Sequence, residues 1–311
     1  MHKIILFGKS KRRTRTTFHI ARAFRESGNE LLWLNPAKIS RRQKEKADQW
    51  ILDRIDAFRP DIVFIYSEDI PLAVLKVISA DKIKTIMYYE DMSDDLPPEL
   101  VRRGRLVDHF LATNSGKLKE YQNAGITNPI YFVGACDRHD HRIRRPILPI
   151  WKSDIAFIGK ARPDETRVTL TRKLGEKYHV KVYGRSWRQF GLKAALKAVS
   201  PKGYGLICNG AKIILGADFT SEVEGYWSNR LWLTLGCGGF FLTQYVPGME
   251  NFFEYKTHLV WYRNEEECLD LAEEYLSRPQ ERRKIAMAGY RLVHQRHTFH
   301  HFVDRVMALI Q

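Results

Sequence analysis

Short, wholly apolar runs alternate along this chain with longer stretches whose apolar residues recur at helical spacing. Positions 4–7 are apolar throughout and stop at Gly8, the pattern of a parallel strand covered on both faces. Within 17–26, Phe18, Ala21 and Phe24 share one side of a helix, and 30–34 returns to strand. The rhythm continues with a helix over 43–58 (Trp50, Ile51, Ile55, Phe58), a strand over 61–66, a helix over 71–79 and strands over 84–89 and 110–113. A helix over 116–123 and a strand over 130–133 complete this half. Such alternation predicts an α/β fold, a doubly wound parallel sheet with helices on both faces.

The stretch 136–150 breaks the rhythm with polar residues, the arginines Arg138, Arg142, Arg144 and Arg145, and two prolines, as a linker between domains would. The pattern then restarts, with strands over 154–158, 180–183, 212–215, 240–243 and 258–262. Helices are predicted over 165–178, 229–235, 265–277, 279–296 and 299–310. The reading is two Rossmann-like domains, 1–135 and 151–311, with ligands expected at the C-terminal ends of their strands, in a shared cleft. A length of 311 residues suits two domains of roughly 150 residues each.

Charge adds a partner to this picture. Lys and Arg number 51 against 36 Asp and Glu, a net charge of +15. Residues 1–46 hold 13 basic and 3 acidic side chains, residues 151–215 hold 14 and 4, and the remainder is slightly acidic. Two basic blocks, one opening each half, suggest an anionic partner, with ordinary solvated faces as the alternative. The cysteines Cys136, Cys208, Cys237 and Cys268 lie too far apart for a zinc knuckle or a redox pair, so buried, reduced thiols are expected. No apolar run approaches the roughly 18 to 20 residues of a bilayer span, and positions 1–8 do not read as a signal peptide, so a cytoplasmic protein is expected.

Candidate chemistry sits where strands hand over to helices. Gly8, Lys9 and Ser10 resemble the end of a phosphate-binding P-loop, but Lys3 stands where its first glycine belongs, which argues against an NTPase of that class. Lys9, Lys11, Arg12, Arg13 and Arg15 follow the first strand, either as a polyanion contact or as a plain surface loop. His294, His297, His300 and His301 have helical spacing, yet no carboxylate motif accompanies them, so packing or capping is expected and no metal site. Asp137, Arg138, His139, Asp140 and His141 read as solvated linker. In FIGKARPDETR, Gly159, Lys160 and Arg162 lie between strand and helix, with Arg167 one turn into the helix. Backbone amides at a helix N-terminus and guanidinium forks together bind a diphosphate. SNRLWLTLGCGGFFLTQ puts Asn229 and Arg230 at a helix start, and MYYEDMSDDLP ends a strand with Glu90 and Asp91, either structural or a catalytic carboxylate.

These segments, in this order, resemble a GT-B glycosyltransferase of the spore-maturation CgeB-like kind. The likeness covers about residues 150–305: FIGK with a following Arg, VKVYG ending in Gly184, SNRLW leading into GCGGFFLT, then VPGMENFFE, HLVWY and RPQERRKIAMAGYRLVHQRHTF. The first half matches only in its βαβ pattern and its carboxylate strand end. A second, weaker likeness is to the phage DNA β-glucosyltransferase, whose catalytic Asp ends a strand shortly before Leu-Pro; YYEDMSDDLP puts Asp91 in that place. The glycine-led Arg motif and the Arg-x-Trp segment of that enzyme resemble 159–162 and Arg230, Leu231, Trp232.

The resemblance implies a GT-B fold, two Rossmann-like domains facing each other across a cleft, with the last helix returning toward the N-terminal domain. It implies a metal-independent, nucleotide-sugar-dependent glycosyltransferase, with a UDP-sugar as donor and no cofactor. Arg162 and Arg230 would grip the donor phosphates, with Gly8, Gly159, Lys160, Arg167, Gly184 and Asn229 beside them, and Asp91 would be the base with Glu90 in reserve. One departure stands out: Leu233 occupies the place where both families usually have a Glu that holds the donor ribose. With the basic blocks, the second likeness points to double-stranded DNA carrying a hydroxylated base as acceptor, flanking phosphates held by Lys9, Lys11, Arg12, Arg13 and Arg15. The alternatives are a cell-surface polymer or lipid acceptor, and a degenerate GT-B protein that only binds nucleic acid, which Leu233 would explain.

Overall fold

The computed structural model of the protein describes residues 1–9, 12, 14–81, 83–162 and 166–310, and the chain forms two compact units, Met1–Gly134 with Phe299–Gln311, and Ala135–Thr298. The first unit begins with β1 (Lys3–Phe7), α1 (Thr16–Glu26), β2 (Glu30–Leu34), α2 (Pro36–Gln43), α3 (Ala47–Phe58) and β3 (Ile62–Tyr66). It continues with α4 (Leu72–Ile78), β4 (Lys84–Tyr89), α5 (Pro98–Gly104), β5 (His109–Ala112), α6 (Leu118–Asn123) and β6 (Pro129–Tyr131). All six strands run parallel in the order β2-β1-β3-β4-β5-β6. Ile4, Ile5, Leu6 and Phe7 are fully buried because helices cover both faces of the sheet, which is why β1 has no polar alternation. The chain places β2 on one side of β1 and β3 on the other, so a crevice opens at the C-terminal ends of β1 and β3.

The second unit repeats the scheme with β7 (Ser153–Ile158), α7 (Thr166–Lys177), β8 (Val180–Tyr183), α8 (Pro201–Gly210), β9 (Ala211–Gly216) and α9 (Arg230–Gly236). It ends with β10 (Phe241–Gln244), β11 (Val260–Tyr262), α10 (Glu265–Ser277) and α11 (Pro279–Arg296). The parallel order β11-β10-β9-β7-β8 sets β8 and β9 on opposite sides of β7, and the corresponding crevice lies at the ends of β7 and β9. The final helix, α12 (Phe299–Ala308), is part of the first unit. Its Phe302 is fully buried against Phe64, Tyr88 and Phe132 at ring distances of 6.2, 5.0 and 4.8 Å, and His300 meets Glu26 of α1 at 2.8 Å.

Three helices escape the periodicity. α2 buries only Pro36 and Ile39, α5 only Leu100 and Gly104, and α8 carries the helix-weakening Gly203, Gly205 and Gly210. Local caps hold two of them: Asn35 accepts the Lys38 amide and Ser200 the Gly203 amide, both at 3.1 Å. Residues 136–150 also differ from the expected linker, because they lie within the second unit. Asp137, Asp140 and His141 are buried, with Asp137 Oδ1 accepting the amides of His139 and Asp140 at 2.9 and 2.8 Å and His141 Nδ1 accepting the amide of Asp137 at 2.8 Å. A carboxylate organising its own turn makes polar residues compatible with burial, which composition alone does not reveal. All four cysteines are buried, unbonded thiols.

Candidate functional site

At the end of β7 the chain must turn sharply while other backbone presses against it. Gly159 donates its amide to the Tyr183 carbonyl at 2.8 Å, and its own carbonyl accepts the Trp187 indole N–H at 2.9 Å. Gly184, with φ of +126°, lies so close that a Cβ there would stand 2.1 Å from the Gly159 carbonyl oxygen. A Cβ on Gly159 would in turn meet Arg230 Nη1 at 2.5 Å and the Phe157 ring at 2.9 Å. Glycine is required at both positions by close approach, and the group approaching Gly159 is a guanidinium.

Arg230 begins α9 and crosses the crevice between β7 and β9. Its Nη2 donates to the Ala217 carbonyl and to Asp218 Oδ1, each at 2.8 Å, just beyond β9. Its guanidinium carbon lies 5.0 Å from the Phe157 ring centroid, and its buried Nε makes no hydrogen bond among the described residues. Arg167, buried in α7, lies 5.7 Å from the same ring and donates from Nη1 to the Lys160 carbonyl at 2.8 Å, which holds the turn after β7 in place. Arg162 is exposed and sits over the Phe219 ring at 5.3 Å, and Lys160 is exposed beside it in sequence. Asn229 immediately precedes α9, and Leu233 lies one turn after Arg230, half-buried like it, among neighbours that are fully buried. The structure thus brings Gly159, Gly184, Arg167 and Arg230 into one cluster. Asp218, which fixes Arg230, was missed by sequence reasoning, although the rule that selected Asp91, a carboxylate following a buried strand, applies equally to it.

The first unit arranges its crevice differently. Gly8 donates to the Leu34 carbonyl at 3.0 Å and accepts the Trp33 indole N–H at 3.1 Å, and a Cβ there would meet Thr17 at 2.8 Å. Lys9 donates its amide to Asp69 Oδ2 at 2.8 Å, and its ammonium pairs with Asp69 Oδ1 at 2.7 Å. The protein's own buried carboxylate therefore occupies the anion position beside β1. Gly8 belongs to the first unit. Arg12 and Arg15 line a cavity of about 990 Å³ next to α2, while Lys11 and Arg13 lie outside the described residues.

After β4, Glu90 and Asp91 part company. Glu90 Oε1 accepts the Thr16 hydroxyl at 2.9 Å and the Tyr66 hydroxyl as well, whereas Asp91 is exposed. Burial, followed by the Glu90 carboxylate, pushes the Tyr66 phenol well above its ordinary pKa, so it stays a donor. Lys117 donates to the Ser93 and Asp94 carbonyls at 2.9 and 2.5 Å and holds the loop that follows Asp91. His294 bonds the Gly236 carbonyl at 2.9 Å and His297 packs on Trp232 at 4.9 Å in the second unit, while His300 serves the first. Among the described residues no helix is long and apolar enough to cross a membrane.

Comparison with known proteins bears on these clusters. Residues 166–308 match a family model described as glycosyl transferase-like. No curated protein matches the sequence. Sucrose-phosphate synthase from Thermosynechococcus elongatus superposes with a TM-score of 0.71 at 9% identity, covering 100% of this chain and 98% of that one. HepE from Anabaena, solved with UDP-glucose, gives 0.69 at 10% identity and covers 100% and 99%. A glycosyltransferase from Rickettsia africae gives 0.70 at 9% identity and covers 99% and 97%. Residues 166–308, which include Arg167 and Arg230, are thus similar to glycosyl transferase-like proteins, and the chain as a whole has the two-domain GT-B fold.

Proposed function

We propose that the protein is a nucleotide-sugar-dependent glycosyltransferase that seats the diphosphate of its donor in the second unit, at the Gly159, Gly184 and Arg230 cluster. The observation that carries this reading is Arg230, fixed by Asp218 and laid against a glycine at the point where the second sheet changes winding direction. Departure of a nucleoside diphosphate concentrates negative charge, and a preorganised guanidinium stabilises that charge without reorganising during the reaction. The two neighbouring glycines let the Arg230 guanidinium and the backbone of the two turns pack closely together, and Arg162 and Lys160 add positive charge at the rim. HepE, of the same fold, binds UDP-glucose, which supports a UDP-sugar as donor. Asp91 takes the acceptor proton, and Glu90, with its oxygen engaged by two hydroxyls, is a positioning residue for the strand end. The ordered motifs from Gly159 to the end of α11 favour the CgeB-like kind. Four unbonded thiols suit a reducing cytoplasm.

A second reading takes the acceptor hydroxyl from a flipped base in duplex DNA, favoured by the basic residues Arg12 and Arg15 after β1 and by the likeness to the phage enzyme. Radiolabelled UDP-sugars incubated with hydroxymethylated DNA, phosphorylated saccharides and lipid extracts test both readings. Label in one acceptor class identifies it, and no UDP binding together with no label in any class would overturn the transferase reading.

A further inference from the structure

The cavity of about 990 Å³ beside α2 has a composition that the donor chemistry does not use. Arg12 and Arg15 reach it from the turn after β1, and Lys38, Arg41 and Arg42 reach it from α2. No acidic side chain lines it among the described residues. Lys9 also borders it, but that ammonium is already matched by Asp69. Arg15, Lys38, Arg41 and Arg42 repel one another around this concavity, and an anion carrying several charges relieves that repulsion. The preponderance of arginine favours phosphate, which guanidinium forks bind through paired hydrogen bonds.

The walls are built. Asn35 accepts the Lys38 amide at 3.1 Å and donates to the Lys9 carbonyl, so the turn after β1 and the start of α2 are tied together. Trp33 is held by its bond to Gly8, and the half-buried Trp50 adds an apolar wall of the kind that packs against a sugar ring. Size narrows the ligand further. The volume lies at the upper end of the roughly 300 to 1,000 Å³ typical of small-molecule sites. A duplex spreads its phosphates along a rod, at one charge per roughly 1.7 Å of axis, and does not gather them into one concavity.

We propose that this cavity binds a compact sugar carrying two or more phosphate groups and that this ligand is the acceptor, the last step resting on the transferase reading above. Calorimetry on the full chain with fructose bisphosphate as probe, unphosphorylated fructose and a short DNA duplex as comparisons, and UDP as a separate titrant tests it. The bisphosphate should bind and plain fructose should not. Arg41→Ala with Arg42→Ala, both on the exposed side of α2, should weaken the bisphosphate by roughly tenfold or more per arginine. An unaltered melting curve shows that the variant is folded, and Arg15→Ala, on the opposite wall, provides an independent test. Absence of bisphosphate binding, or binding that neither variant weakens, would overturn the inference. Tighter binding of the duplex, lost in the same variants, would overturn it in favour of nucleic acid. Failure of UDP to bind would sink the transferase reading, and with it the acceptor role, while the bisphosphate titration would still decide the ligand of the cavity.

Discussion

Replacing Arg230 by Ala removes a guanidinium that bonds the Asp218 carboxylate and the Ala217 carbonyl at 2.8 Å each, in a pair whose side chains are 13% and 4% exposed. Two losses follow, and they can be separated. Stranding the buried carboxylate should lower stability by about 3 to 5 kcal/mol. Losing a charge-assisted bond to a phosphate oxygen should cost about 1.5 to 3 kcal/mol of binding, a roughly 10- to 150-fold weaker affinity for UDP. Adding Asp218→Asn to Arg230→Ala removes the stranded charge, so urea unfolding should show stability recovering while calorimetry shows UDP affinity still low. Asp218→Asn alone leaves the guanidinium charged but loosely held, so it should retain more affinity than the Arg230→Ala variant. A double variant that regained stability and bound UDP like the unaltered protein would refute a phosphate role and leave Arg230 a buried structural cation.

Asp91→Asn should reduce sugar transfer by roughly 10²-fold or more with UDP affinity unchanged, and Glu90→Gln should reduce it less; the reverse ranking would exchange their roles. Gly184→Ala places a Cβ 2.1 Å from the Gly159 carbonyl oxygen at a φ of +126°, so thermal unfolding should show a loss of about 3 kcal/mol or more, and an unshifted melt would mean that this close approach does not exist. Burial lowers the His258 imidazole pKa, against the pull of the Glu254 carboxylate, and His258 Nδ1 accepts the Glu254 amide at 3.0 Å, a bond open only to the unprotonated nitrogen. The folded state therefore binds this proton less readily than the unfolded one, so the contribution is intact above the ordinary value of 6.5 and is lost as pH falls through it toward the folded value. Urea midpoints should drop more steeply between about pH 7.5 and about pH 5.5 in the native protein than in His258→Gln, and parallel drops would assign the acid sensitivity to other groups.

Both sheets are legible in the sequence because a strand covered on both faces leaves an uninterrupted apolar run, as in positions 4–7 and 155–158. What periodicity misses is held by single polar contacts. α2 depends on the Asn35 cap and the buried turn at 137–141 on one carboxylate, and neither leaves an apolar period to find. The same limit governs the site. Gly159, Gly184 and Arg230 stand out as residue types at strand ends, but that Arg167 is occupied with the Lys160 carbonyl, and Arg230 with Asp218, depends on distances that no spacing encodes.

The two units show how one topology reaches opposite electrostatic outcomes. In each, the chain changes winding direction at its first strand, and the crevice there collects backbone N–H groups that favour an anion. Asp69 fills that position in the first unit, accepting the Lys9 amide at 2.8 Å and neutralising its ammonium. Further basic residues of the block at 1–46, Arg15, Lys38, Arg41 and Arg42 among them, line the cavity beside α2. In the second unit the carboxylate, Asp218, sits after β9 and grips a cation, Arg230, so the group laid against Gly159 is a guanidinium. A net charge of +15 is therefore not one basic surface. Among its cations, Lys9 is matched by Asp69, Arg230 is held by Asp218 against a glycine, and Arg15, Lys38, Arg41 and Arg42 line a concavity with no acidic side chain among the described residues.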